Sequence, residues 1–173
     1  MRIYTLLFLI FFTFVGCGYK PSSYYAKNEI SGKVYITSSI DIENSQNSIV
    51  IKDTMNEMII NQFNATLTND KNLANTLVIV ELSGVSHSAL STDNDGYTSS
   101  YRTTVTIKVS YKKNLPKEIY KVLSVSNYYD YTVDADSLIT DQKKLEATRF
   151  ASTNALSDLF SKIAVNSFQK IEK

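Results

Sequence analysis

The chain has one cysteine, one histidine and no tryptophan in 173 residues. One thiol forms no intramolecular disulfide, and one imidazole beside it completes no common zinc set, so packing alone must hold the fold. Glycine is scarce at 5, and none of it builds a Gly-rich phosphate loop or a Gly-x-Ser-x-Gly elbow. An excess of one charge is missing as well. With 18 Lys plus Arg against 17 Asp plus Glu, the chain does not carry the basic surplus of a general nucleic-acid binder. What is plentiful is tyrosine, 12 residues, beside 8 phenylalanines. Tyr-rich strands suit a sheet with one wet face.

The apolar run Ile3 to Val15, free of charge and proline, stops short of the ~20 apolar residues a spanning helix needs. It follows Met1-Arg2 and closes on Gly16 directly before Cys17, the layout of a signal peptide. Phe14-Val15-Gly16-Cys17 resembles a bacterial lipobox, with Phe14 where leucine is favoured. That resemblance implies lipidation of Cys17 on sulfur, removal of residues 1–16 and acylation of the new amino terminus, several chains together giving stable anchoring. The bland alternative is an ordinary apolar-segment cysteine in a secreted protein. Gly18 stands where an aspartate tends to retain lipoproteins at the inner membrane, which points to the outer membrane. The expected organisation is a signal peptide over 1–16, a lipidated tether over 17–32 and one α+β domain over 33–170.

From Lys33 onward, Val34, Ile36, Ile40 and Ile42 alternate with polar residues and predict a half-buried strand. Met55, Met58, Ile59, Phe63 and Leu67 recur at helical spacing and predict a helix over roughly 49–68, with either Thr54 and Glu57 as a capping box or an earlier start near Ser48. Thr76 to Val85 reads as a second strand, and Asp95-Gly96 as a hairpin turn. Tyr101, Thr103, Val105, Ile107, Val109 and Tyr111 alternate with Arg102, Lys108, Lys112 and hydroxyl residues in the clearest strand of the chain. After Asn114-Leu115-Pro116, Ile119 to Tyr131 supplies a fourth strand. Thr140-Asp141 caps a long final helix with an apolar stripe of Leu145, Ser152, Ala155, Leu156, Leu159 and Ile163. The expected fold is therefore α+β, two helices packed on one face of a four-stranded, mostly antiparallel sheet in the order β-α-β-β-β-α.

Taken together, Cys17-Gly18-Tyr19, the strand Tyr101 to Ile107, the short turn into Ile119-Tyr120, Tyr128-Tyr129-Asp130 and the long helix from Asp141-Gln142 to Leu159-Phe160 resemble the LptE family of lipopolysaccharide-assembly lipoproteins. The resemblance implies a non-enzymatic protein seated partly inside a large outer-membrane β-barrel, LptD, as plug and assembly partner in delivering lipopolysaccharide. It implies no cofactor. A rival reading is a free-standing lipid- or ligand-binding lipoprotein, which requires a concave apolar pocket. A cell-wall hydrolase is a more remote rival, requiring convergent carboxylates.

Lys108, Lys112, Lys113, Lys117 and Lys121, with Arg102 upstream, are the candidate contacts for lipopolysaccharide phosphates or an acidic barrel wall. The competing explanation is a solvated hairpin tip whose lysines defend an edge against strand pairing. His87 has no companion ligand and reads as structural or exposed. Asp93-Asn94-Asp95-Gly96 resembles a calcium loop only faintly, because Arg102 occupies the position where a glutamate is needed. Asp130, Asp134, Asp136 and Asp141 read as loop solvation and helix capping ahead of glycoside chemistry.

Overall fold

The computed structural model describes residues 21–39, 45–92, 96–133 and 140–169; the segment 1–16 expected to be a signal peptide, Cys17, Ile40, Ile42, Asp93 to Asp95, Asp134 and Asp136 lie outside them. In chain order the elements are α1 (Ser22–Glu29), β1 (Lys33–Ser39), α2 (Ser45–Asn61), β2 (Thr66–Leu67), a 3-10 turn at Lys71–Leu73, β3 (Thr76–Thr92), β4 (Thr98–Lys113), β5 (Lys121–Thr132) and α3 (Asp141–Gln169).

The α+β class holds, and its details differ from expectation. Three helices pack with a five-stranded sheet of order β2-β1-β3-β4-β5, and the sheet is mixed, because β1 runs parallel to both of its neighbours. Only β3-β4 and β4-β5 are antiparallel. The crossover through α2 explains the parallel pair: a helix between two strands carries the chain back to the end where it started. The extra strand β2 comes from residues assigned on sequence to the end of the first helix. That helix closes at Asn61, and Asn64 takes a positive φ of 54° that turns the chain into Thr66 and Leu67. Thr66 N–H then donates to Gly32 C=O at 3.0 Å and Thr68 N–H to Val34 C=O at 2.9 Å, edge pairing that outweighs the helical spacing of Leu67.

Thr54 and Glu57 are not a cap. α2 begins nine residues earlier, the Thr54 hydroxyl donates to Val50 C=O one turn back at 2.8 Å, and Glu57 meets Arg149 of α3 at 2.7 Å. The α3 start is as read: Thr140 Oγ1 accepts from Lys143 N–H at 3.2 Å, and Asp141 sits in the first turn at the positive end of the dipole.

The segment read as tether contains α1. Pro21 opens it with φ −60°, its C=O accepting from Tyr24 N–H at 2.9 Å. Ala26 and Ile30 are fully buried in the common core, and Tyr25 meets Phe168 of α3 edge to face at 5.5 Å. Gly32 then makes the turn into β1 with φ +72°, where an added Cβ would stand 2.5 Å from Asn75 Oδ1.

Residues of β4 with odd numbers face the helices and those with even numbers face away, so the core closes on one side of the sheet only. Val34, Val78, Val80, Val105, Ile107, Val109 and Val125 pack from the sheet against Ile51, Met55 and Ile59 of α2 and Leu156, Leu159 and Ile163 of α3. Each large aliphatic side chain buried in this way contributes roughly 1.5–3 kcal/mol. Ala147, Ala151 and Ala155 let α3 approach closely, and Phe63 stacks edge to face on Phe160 at 5.0 Å.

Candidate functional site

The open face of the sheet, away from the helices, is hydroxyl-rich. On it Thr104, Thr106 and Ser110 of β4 neighbour Ser124 and Ser126 of β5, with Thr106 Oγ1 and Ser126 Oγ 2.9 Å apart. Arg102 belongs to this face and forms a bidentate pair with Asp130, both contacts at 2.7 Å, while its guanidinium lies 3.7 Å above the Tyr128 ring. The shared hydrogen bond raises the Arg102 pKa and lowers that of Asp130. Lys108 also points to this face, and Glu81 answers it at 3.4 Å.

The lysines crowded in sequence do not form one patch, because neighbours on a strand point to opposite faces. Lys112 stays on the open side, its ammonium 5.1 Å from the Tyr120 ring and donating to Glu118 C=O at 3.4 Å. Lys113 points toward the helices and donates to Ser31 Oγ at 2.7 Å. Lys121, cross-strand from Tyr111, forms an ion pair with Glu29 at the end of α1. Lys117 is exposed in the β4–β5 connection with φ 67°.

Lys112, Lys113 and Lys121 nonetheless line one cleft of about 170 Å³, together with Asn28, Glu29, Tyr111, Glu118 and Ile119. Burial lowers the Lys113 pKa; the Glu29 carboxylate opposes that shift and the Lys121 charge reinforces it. Burial, with the Glu29 charge second, pushes the Tyr111 phenol up to about 12, so it stays a neutral donor near neutral pH. Chemically the cleft offers three ammonium donors and a phenol beside two carboxylates, Glu29 and Glu118, so cations outnumber acids by one at its lining. Glu29 is its unforeseen member. Only its acidic type within a tether segment was visible in the sequence, and its role depends on a contact 92 residues away.

Other candidates are dispersed. His87 Nδ1 lies 2.8 Å from Thr103 Oγ1 on the helix side, and its pKa is lowered by burial and by Lys144. Among the described residues no group of three His, Cys, Asp or Glu is placed to hold a metal, and Asp130 and Asp141 belong to an ion pair and a helix start. Two further clefts measure about 100 Å³ between α2 and α3, near Thr54 and Leu156, and about 130 Å³ beside Tyr129 and Phe150. All three fall below the ~300–1,000 Å³ usual for a small-molecule pocket.

A sheet covered by helices on one side, with a solvated face on the other, defines a two-layer α+β fold. A putative lipoprotein from Caulobacter crescentus has it too, with a TM-score of 0.53 at 3% identity over 84% of this chain and 95% of that one. A profile of the LptE lipopolysaccharide-assembly family matches residues 37–163, and the chain belongs to that family. It is accordingly a non-enzymatic lipopolysaccharide-assembly lipoprotein of the outer membrane. Solved structures of rare lipoprotein B from Shewanella oneidensis (TM-score 0.46, 15% identity, 75% of this chain and 95% of that one) and of lipoprotein B from Nitrosomonas europaea (0.44, 13%, 90% and 96%) are similar as well. No functionally curated protein matches the sequence. Among the described residues no helix is long and apolar enough to cross a membrane.

Proposed function

We propose that the protein, with residues 1–16 removed and Cys17 lipidated, binds an LptD-like outer-membrane β-barrel, fills part of its lumen and assists lipopolysaccharide assembly at the cell surface. The family match over residues 37–163 carries this reading. The geometry supports it in two ways. The described clefts of the sheet-and-helix layer are smaller than a small-molecule pocket, as suits a plug, and its open face carries hydroxyls and the Arg102–Asp130 and Lys108–Glu81 pairs, which can meet a polar barrel wall without leaving those charges unpaired. The lysine-bearing end then contacts lipopolysaccharide phosphates or acidic barrel residues. Arg102, Lys108 and Lys121 are each satisfied by an acid within the fold, whereas Lys112 and Lys117 have no ion pair among the described residues. Those two are the contacts the reading ranks first.

Depletion in the host tests the proposal, scoring surface lipopolysaccharide and the folded, heat-resistant form of the barrel together. Both fall if the protein is the barrel's assembly partner. If neither changes, the free-standing ligand-binding lipoprotein takes its place. Recovery of the barrel with the tagged protein, and its weakening by Lys112→Glu with Lys117→Glu, separates assembly from direct contact.

A further inference from the structure

Two edges of the sheet are closed to further pairing. β2 ends one side after Thr66 and Leu67. β5 ends the other, and α3 covers its backbone: Asn154 Nδ2 donates to Tyr128 C=O at 2.9 Å and Lys162 Nζ to Ser124 C=O at 3.1 Å, while Tyr128 N–H donates to Asn127 Oδ1 at 2.7 Å. Short edge strands and cover by a helix are common defences against pairing with another chain. A third edge has neither. β1 accompanies β3 only as far as Glu81, and beyond that residue no described strand flanks β3 opposite β4. Between register shifts at Leu82/Gly84 and Ala89/Ser91, the run from Gly84 to Ala89 keeps an unbroken register with Thr106 to Tyr101. It contains no Lys, Arg, Asp, Glu or Pro, the residues that usually guard such an edge.

Gly84 is an independent sign. It borders the first register shift, yet its φ lies outside the left-handed region, and a Cβ built on it meets nothing within 4 Å. Nothing in the described fold requires this glycine, and a glycine inside a strand leaves room for a second backbone to approach.

The chemistry of a bare edge selects its occupant, because a row of backbone N–H and C=O groups is satisfied by another extended backbone. Ser86 and Ser88 stand cross-strand from Thr104 and Arg102 on the open face, whereas Val85, His87 and Ala89 stand cross-strand from Val105, Thr103 and Tyr101 on the helix side. The free edge is therefore continuous with the face that the proposed function lays against the barrel, and the inference rests on that reading. A closed barrel wall has no free strand to give, so the donor is a loop or terminal segment of the barrel chain. We infer that Gly84 to Ala89 takes up an extended, uncharged segment of about six residues from the barrel partner as an added strand, with a bulky side chain beside Gly84 and apolar ones beside Val85 and Ala89.

The test uses the full chain in its host, with a photo-crosslinking residue placed in turn at Ser86, His87, Ser88 and Ala89 and the adducts mapped by mass spectrometry. Comparable yields are expected from all four positions, on one contiguous barrel segment, with the contacts of the odd positions interleaved between those of the even ones. Adducts confined to Ser86 and Ser88 report a wall contact across the open face; they overturn the inference and leave the barrel reading intact. Absence of adducts from all four, in a chain that still recovers the barrel, has the same meaning. Adducts to a second copy of this chain overturn it as well. Failure to recover the barrel at all, with the parent chain, overturns the barrel reading and the inference with it.

Discussion

Lys121 at the start of β5 is ion-paired with Glu29 at the end of α1, a contact between residues 92 apart that ties α1 to the sheet. Glu29 belongs to the last turn before Ser31 and Gly32, and Lys113 reaches Ser31 from the adjacent strand. The segment carrying α1 is thus clasped by Lys113 and Lys121 at the β4–β5 end.

Ile30 has no exposed surface, so Ile30→Ala removes buried methylenes and leaves a cavity. A loss of about 2–5 kcal/mol is expected in urea unfolding. Hydrogen exchange distinguishes undocking from global loss: the amides of α1 should lose protection before those of β4.

Gly32→Ala combines a left-handed backbone with a Cβ placed only 2.5 Å from Asn75 Oδ1. About 1–3 kcal/mol of destabilisation follows from the backbone alone. Asn75→Ala relieves the overlap but leaves Lys33 N–H without the acceptor it has at 2.8 Å, so the double variant should remain less stable than the parent in the same assay.

The Tyr111 pKa rises from 10.0 to about 12 on folding. Between those values the folded state binds more protons than the unfolded one, so this residue's contribution is complete below pH 10 and is lost as pH rises toward 12. Tyr111→Phe should flatten that segment of the stability profile, measured by denaturant midpoints on either side of the window.

His87 behaves in the opposite sense. Its pKa falls below 6.5 on folding, so in the window beneath 6.5 the unfolded chain binds the extra proton and stability declines as pH drops. As the sole histidine it gives one imidazole signal by NMR, expected to titrate below 6.5, and Lys144→Met should move that midpoint upward.

Much of the candidate site was legible as residue type and little as arrangement. The basic run from Lys108 to Lys121 is visible on reading, yet Lys112 and Lys113 part company because strand neighbours face opposite ways, and Lys108 is answered by Glu81 from another strand. Arg102 looked available and is bound twice over by Asp130, 28 residues on.

By itself the sequence determined the α+β class, the alternation that makes one sheet face apolar and the long capped C-terminal helix, since each depends on spacing within a few residues. Tertiary structure decided the rest. Pairing of β2 at the sheet edge, the parallel setting of β1 and the docking of α1 all rest on partners far along the chain. The charge of Glu29, unremarkable in a segment read as tether, gained its role only when folding placed Lys121 beside it, where partial burial reduces the screening that water gives an exposed pair.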